Sequence, residues 1–448
     1  MESSRLSNIT FGPRSLLYSF PMSKSRYQAP RGTRDILPEE AGRWRWALDS
    51  FAELADRFGY GQVISPMFED LGVFLRLGEN TDVVSKEMFT FQDKDPKTPQ
   101  NLALRPELTA SICRAFAQHR PTTPWKVWYE GPQFRYEKPQ AGRFRQFVQV
   151  GAEIIGENDP AADSEIISLA WRFYEFLGLK HVTLQMNSLG NAETRGVYNQ
   201  ELHSYLSSEA ANLSAESRDT LEKNPLRVLD SKREEDLEII SAAPTIQEFL
   251  TVEDANHFEL VCEGLSSVGI PFVISPRLVR GLDYYTRTTF EFTADKLQTA
   301  QNAIGGGGRY DGLIEELGGP PTQGIGFALG IDRILLACEA EELDLGPMKP
   351  LDAFVVDLTG GSQATQITDE LRAHGLGVDR SFGNRSIKAQ MKVADRSGAL
   401  FAIIVGDDEL EKNEVTLRDL RGDGSQERVP RTSLVTALVA GIEGRYSE

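Results

Sequence analysis

From Ala41 the apolar positions Ala41, Trp44, Leu48, Phe51, Ala55 and Phe58 recur at alternating spacings of three and four. That period lines them along one face and predicts an amphipathic helix. Pro38, Glu39 and Glu40 suit its first turn, and Gly59 suits its end. Next, GQVISPMFED reads as a strand interrupted by Pro66. A proline cannot donate to a strand ladder, so this segment belongs at an edge or a bulge, where a partner subunit could meet it.

The period changes to two further on. VWYEGPQFRYE is strand-like, KPQAG carries the Pro and Gly of a turn, and RFRQFVQVGAE alternates, so an antiparallel hairpin is predicted. On its second strand Phe144, Gln146, Val148, Val150 and Ala152 share one face, and Arg143, Arg145, Phe147, Gln149, Gly151 and Glu153 share the other. On the first strand Gln133, Arg135 and Glu137 oppose Phe134 and Tyr136. A sheet face that merely meets solvent would mix Lys, Thr and Glu. Arginines, glutamines and Glu153 around Gly151 suit the grip of a planar, anionic ligand better.

From about Leu184 to Ile270 the chain turns more polar, with helix-like stretches such as RGVYNQELHSYL and REEDLEIISAA, which reads as an insertion or a separate helical module. Past Pro347 the strand-like DAFVVDL, ALFAIIVG and EVTLRDL alternate with the helix-like QATQITDELRAHG and SIKAQMKVADRSG. That alternation predicts a small α/β domain.

The 448 residues are enough for two to four domains at roughly 150 residues each. No uninterrupted apolar run approaches the ~20 residues that a bilayer requires, so no membrane span is expected. Cys113, Cys262 and Cys338 lie far apart without CxxC spacing. Neither a disulfide framework nor a thiolate zinc site is supported, and a reducing cytoplasm fits. The formal net charge of -18 argues against diffuse affinity for nucleic acid, so a basic site has to be a local reversal such as the hairpin. The first 25 residues are Ser-rich. They read as a disordered tail or a start assigned upstream of Met22, or else as a transit peptide.

Two glycine-rich segments, GGGGRYDG at Gly305 to Gly312 and GIGFALG at Gly324 to Gly330, invite comparison with a dinucleotide fingerprint. Such a fingerprint has GxGxxG spacing between a strand and a helix early in a βαβ unit, and neither segment meets that pattern. They mark turns, or a backbone passing close to a ligand or another backbone. MSKS at Met22 to Ser25 spells a class I synthetase signature, but no HIGH-type partner precedes it. His119, His181, His203, His257 and His374 fall outside every motif, so neither His-based acid-base chemistry nor metal ligation is expected.

The hairpin, LRPELTAS at Leu104 to Ser111, LVRGLDYYTRTTFEF at Leu278 to Phe292, GGGGRYDGL and GIGFALGIDRIL occur in that order. RGTRDILP near the start and NPLRVLDSK at Asn224 to Lys232 extend the set. Together they resemble the histidyl-tRNA synthetase family, class II enzymes, from about Tyr27 through the C-terminal domain. The resemblance implies an α+β fold: a tail over 1–26, and an antiparallel-sheet catalytic domain over 27–345 with a helical insertion at about 186–270. A C-terminal α/β anticodon-binding domain over 349–448 follows. It also implies a homodimer joined partly through the Pro66 region. The implied chemistry joins L-histidine to ATP, accompanied by Mg2+, releases pyrophosphate, and passes the histidyl group to tRNA(His).

By the same resemblance Arg135 holds the α-phosphate and Arg280 is the second cation at the reacting centre. Glu137 belongs to the ATP side, Arg143 reaches the distal phosphates, and Arg333 stacks on adenine unless it is a surface helix charge. Glu153 and Tyr285 recognise the imidazole, while Glu107 and Thr109 hold the α-amino group. Gln149 meets the carboxylate region, and Tyr284 and Tyr310 wall the pocket. Two positions depart from the family pattern: Leu108, where glycine is more usual and whose bulk could narrow the amino-group site, and Asp332, where glutamate is more usual and where a carboxylate could help position metal.

The main alternative is the family's noncatalytic relative, the regulatory subunit of ATP phosphoribosyltransferase, which keeps the fold and lacks the C-terminal domain. A dinucleotide-dependent oxidoreductase would rest on the glycines alone. Arg380, Arg385, Lys388 and Lys392 form the local basic surface expected to meet tRNA, or else a solvated helix face near Asp379 and Asp395.

Overall fold

The computed structural model describes residues 27–75, 86–137, 142–279, 284–297, 302–343, 345, 350–383 and 385–446. The chain divides into two compact units, Met1–Gly346 and Pro347–Glu448.

In the first unit, helix α1 (Pro38–Arg57) buries Trp44, Ala47, Phe51, Leu54 and Ala55. The stripe is displaced by one position from the predicted one, since Ala47 is buried and Leu48 only partly so. Pro38 opens the first turn, Glu39 and Glu40 lie at its positive end, and Gly59 turns the chain out at φ 78°. The segment around Pro66 is two strands rather than one. Strand β1 (Gly61–Gln62) pairs parallel with β5 (Trp125–Phe134). Strand β2 (Phe68–Asp70) joins a separate sheet, in the order β2, β4 (Asn101–Leu104), β3 (Phe89–Gln92). The break between β1 and β2 is pinned by Arg105, whose guanidinium donates to the carbonyls of Ser65 at 2.9 Å and Pro66 at 3.2 Å. Short helices α2 (Leu71–Leu75) and α3 (Thr109–His119) follow β2 and β4.

The hairpin pairs β5 with β6 (Gln146–Ile155), from Trp125 against Ile155 to Phe134 against Gln146. After β6 come α4 (Pro160–Phe176), β7 (Val182–Ser188), α5 (Ala192–Ser208), α6 (Ala215–Leu221), α7 (Glu234–Ala242) and α8 (Val252–Ser267). Then follow β8 (Val273–Ile274), β9 (Thr286–Ala294), β10 (Ala303–Arg309), α9 (Leu313–Glu316), β11 (Gly324–Gly330) and α10 (Ile331–Ala340). The eight-stranded sheet runs β1-β5-β6-β11-β10-β9-β7-β8. Its inner pairs are antiparallel, and only the outermost β1 and β8 run parallel to their neighbours.

The glycine-rich segments are therefore mostly central strands, β10 and β11, rather than turns. Phe51, Phe173, Val261 and Ile334 from α1, α4, α8 and α10 pack with Val150, Ala152 and Phe327 of the sheet into the main core. Ile112, Cys113 and Phe116 of α3 cluster with Tyr129, Ile155 and Tyr310 in a second core. The helical module is narrower than expected: its own core runs from Leu189 to Ile246 with Tyr198, Leu202 and Ile240, whereas α8 contributes Phe258, Val261 and Leu265 to the main core. Asp236 ties the module together, accepting from Ser214 N and from the hydroxyls of Ser214, Ser217 and Ser231.

The second unit contains β12 (Ala353–Asp357), α11 (Ser362–Ala373), β13 (Val378–Arg380), α12 (Ile387–Arg396), β14 (Phe401–Val405), α13 (Asp407–Glu411), β15 (Glu414–Asp419), β16 (Gln426–Pro430) and α14 (Leu434–Tyr446). The sheet order is β13-β12-β14-β15-β16, parallel over the first three strands and antiparallel beyond. Ala353, Phe354, Val355 and Val356 are all buried, which is why β12 reads as an unbroken apolar run. Strands β13 and β16 and helix α14 are short or weakly patterned and were not expected from the sequence.

Candidate active site

A cavity of about 480 Å³ opens against the sheet. The hairpin supplies Arg135, Glu137, Arg143 and Gln149, the start of α3 supplies Glu107 and Thr109, and Tyr284, Tyr285 and Arg333 complete the wall. Nine of the residues predicted from sequence thus converge on one space, although they are spread over more than 220 positions of chain. Arg280 lies outside the described residues, as do residues 1–26 with MSKS and most of the KPQAG turn.

The arginines are held differently. Arg135 Nε donates to the carbonyl of Pro106 at 2.9 Å, and its guanidinium lies 5.4 Å from the centre of the Phe147 ring. Arg143 donates to Glu137 at 3.0 Å. Arg333 has its pKa lowered, first by burial and then by the neighbouring positive charge of Arg143. It is a cavity cation, so the surface-charge alternative is set aside. Upstream of Gln146 the strict alternation fails because regular pairing with β5 begins only there. As a result Phe144 reaches the cavity, while Arg145 packs 3.6 Å over the Tyr136 ring and donates to the carbonyl of Arg31.

Glu153 and Tyr310 lie directly behind the cavity wall, 0% and 1% exposed. Thr109 Oγ1 donates to Glu153 Oε1 at 2.8 Å, Tyr129 OH donates to the same oxygen at 3.1 Å, and Tyr310 OH donates to Oε2 at 2.8 Å. Burial pushes the Glu153 carboxyl up to about 8, with the Glu107 charge adding to the rise and the three hydroxyls opposing it. Glu107 is also raised by burial and opposed by the backbone N–H of Ala110, which donates to it at 2.8 Å. Glycines make room for this group: a Cβ at Gly326 would overlap the Glu153 carboxylate, and one at Gly151 would overlap the Tyr129 hydroxyl. The close approach expected at the glycine-rich segments is to the backbone of neighbouring strands at Gly307 and Gly308, and to the Tyr310 and Glu153 side chains at Gly324 and Gly326. The Tyr284 ring, which lines the cavity, stands edge-on to Tyr310 at 6.1 Å and lies 4.6 Å from Tyr285.

Leu108 is 1% exposed and packs in the second core with Val73, Phe74 and Ile112. It does not line the cavity, so the expected narrowing of the amino-group site is corrected. Asp332 does line the cavity, paired with Arg34 of RGTRDILP at 3.3 Å. Arg34 in turn makes two hydrogen bonds to Glu40 and lies 4.9 Å from the Phe144 ring, so the N-terminal motif braces the hairpin.

Sequence reasoning missed Tyr129, Phe147 as a cavity residue, and Lys232. Val127, Tyr129, Gly131 and Gln133 share a face by period two, so carrying the alternation four residues back from Gln133 reaches Tyr129. Phe147 was already on the chemistry-bearing face. Lys232, at the end of NPLRVLDSK, lines the cavity through tertiary placement alone.

The antiparallel sheet with arginines around its cavity, carried together with a separate α/β unit, matches the class II aminoacyl-tRNA synthetases in both units. Residues 32–334 match the family model described as histidyl-tRNA synthetase, and residues 352–440 match the anticodon binding domain. The histidine–tRNA ligase of Geobacillus thermodenitrificans is 44% identical over 92% of this chain and 98% of its own length. That of Rhodococcus erythropolis is 46% identical over 93% and 99%. The crystal structure of apo S. aureus histidyl-tRNA synthetase superposes with a TM-score of 0.77 at 36% identity, covering 92% of this chain and 99% of that one. The chain belongs to the histidyl-tRNA synthetase family.

Proposed function

We propose that this cavity activates L-histidine with ATP and delivers the histidyl group to tRNA(His). The convergence of Arg135, Arg143 and Arg333 on a space backed by the Glu153, Thr109 and Tyr310 cluster carries this reading. A histidine carboxylate oxygen bonds to the α-phosphorus of ATP, the bond from that phosphorus to the bridging oxygen breaks, and pyrophosphate leaves with the electron pair. A hydroxyl of the terminal ribose of tRNA then attacks the histidyl carbonyl and AMP departs.

Negative charge grows on the phosphoryl oxygens in the first step, and preorganised guanidinium groups stabilise it without giving up a proton. In this reading Arg135 holds the α-phosphate with Arg280 as its companion, and Arg143 with Glu137 addresses the distal phosphates. Phe147 and Arg333 offer flat faces for adenine. Glu137 and Glu291 line the cavity and would hold a Mg2+ brought in with ATP, which would neutralise charge on the phosphates.

The buried carboxyl of Glu153, with Tyr310 and Tyr129 on it, is suited to an imidazole. A polar pocket that pairs with both ring nitrogens rejects analogues that leave its groups unpaired. Thr109, hydrogen-bonded to Glu153, and Glu107 both line the cavity beside it and are the groups for the α-amino end. Gln149, whose buried Oε1 has no hydrogen-bond partner among the described residues, faces the same cavity. A homodimer is supported by the exposed Ile64, Met67, Phe68 and Phe91 around the Pro66 break. A cytoplasmic location is supported by three free cysteines, and among the described residues no helix is long and apolar enough to cross a membrane.

The test is ATP–pyrophosphate exchange with each amino acid in turn. Exchange with histidine alone is expected. Folded protein that shows no exchange would overturn the reading in favour of the noncatalytic regulatory relative, which is expected to lack the C-terminal domain present here.

A further inference from the structure

NPLRVLDSK is only partly used by the catalytic cavity, which takes Lys232. Its first residues build a second cavity of about 410 Å³, a volume in the range of small-molecule sites. Asn224, Pro225, Leu226 and Arg227 form one side, and Ala192, Arg195, Gly196 and Asn199 of α5 form another, with Lys223 at the margin. Three cations and no carboxylate line it, in a protein whose net charge is -18. The buried amide oxygen of Asn199 has no hydrogen-bond partner among the described residues. An unpaired buried acceptor is costly and calls for a ligand that brings a donor as well as an anion.

This cavity shares a wall with the catalytic one: Val279 and Tyr285 line both. Arg195 Nη1 donates to the carbonyl of Tyr285 at 2.8 Å, so the second cavity is tied to a residue proposed to meet the imidazole.

We propose that the second cavity is an anion-selective subsite for a nucleotide phosphate, with a ribose or base donor reaching Asn199. The proposal rests on the synthetase reading of the neighbouring cavity. Two sources share this chemistry. One is a phosphodiester near the 3′ end of tRNA, which has to pass close to the catalytic cavity while that cavity's own cations are engaged by the histidyl-adenylate. The other is a free phosphorylated nucleotide. Because Lys223 is exposed and neither it nor Arg227 lines the catalytic cavity, Lys223→Glu and Arg227→Gln test the subsite without touching the proposed chemistry.

The full-length chain would be saturated with histidine and a nonhydrolysable ATP analogue and titrated with inorganic phosphate by calorimetry. In parallel, the KM for tRNA(His) would be measured over a series of salt concentrations. Histidine-dependent exchange should stay within about twofold in both variants, which separates this test from that of the activity itself, while phosphate binding should fall about tenfold. If tRNA is the source, KM for tRNA rises by a similar factor and the salt slope shallows by about 0.7–0.9 per lost phosphate contact. If a free nucleotide is the source, KM for tRNA is unchanged while phosphate binding is lost. Variants that bind phosphate as the parent does, with KM and salt slope unaltered, would overturn the proposal.

Discussion

Glu153 and Asp163 stand ten residues apart, both are fully buried, and consecutive residues at the end of one strand serve them. Arg309 pairs with Asp163 at 2.6 Å, and Tyr310 donates to Glu153 at 2.8 Å. Asp163 also faces His257 at 3.3 Å, and the backbone carbonyls of Glu157 and Asp159 take the remaining Arg309 donors. Burial opposes the charge on Asp163, but the His257 hydrogen bond and the Arg309 charge outweigh it and hold the carboxyl below its usual range. Glu153 receives only hydroxyls and lies near a second carboxyl, Glu107, so burial wins and its pKa rises to about 8.

The difference teaches that depth does not decide a buried carboxyl's state. A carboxylate given a cation ties α4, α8 and the sheet together, whereas one denied a cation keeps its proton to higher pH, and the proposed role of Glu153 toward histidine uses that property.

The largest expected effect breaks the structural half. Arg309→Met leaves Asp163 without its cation and should cost about 3–5 kcal/mol of stability, measured by denaturant unfolding of the first unit. A variant as stable as its parent would mean that the ion pair matters no more than the hydroxyl cluster. Next, Glu153→Gln keeps the shape and the hydrogen-bonding size but replaces the carboxyl. Histidine-dependent exchange should fall by about 100-fold or more in kcat/KM with little loss of stability. Retention of the parental rate would remove the distinction between the two carboxyls.

A smaller effect sharpens the contrast. Tyr129→Phe deletes one donor to Glu153 and should raise the KM for histidine up to about tenfold, near the ~1 kcal/mol of one hydrogen bond. Because that hydroxyl lowers the Glu153 pKa, the alkaline shift of the pH profile should accompany it, which a purely structural role would not produce.

The smallest effect is on stability against pH. Between the usual carboxyl value and about 8 the folded chain holds a proton on Glu153 that the unfolded chain has released, so this group's contribution to stability falls as pH rises across that window. Asp163 acts in the opposite sense, its contribution being present above the usual carboxyl range and lost on acidification. Melting temperatures of Glu153→Gln should therefore decline less than those of the parent from pH 5 to 8. Parallel curves would show that Glu153 does not change its proton in that range.

Much was legible from the chain because local periods report burial. The spacing of Trp44, Phe51 and Ala55 announced α1, the unbroken apolar runs announced β12 and β14, and alternation from Phe147 to Glu153 put Gln149 on the side that faces the cavity. Alternation failed where its cause was absent. Arg145, outside the paired register, turned to Tyr136 instead, and the Pro66 segment divided between two sheets because Arg105 holds the break.

By itself the sequence determined which residue types were available, which faces of the hairpin they occupied, and, through motif order, the family. It did so because side-chain direction follows from backbone period within one element. Only the tertiary structure decided that Thr109, Tyr129 and Tyr310 would meet on Glu153 and that Leu108 would be spent in a core. The tertiary structure also decided that NPLRVLDSK would border two cavities. Those contacts join segments far apart in the chain, and the proton affinity of a buried group depends on the charges and donors that packing brings beside it.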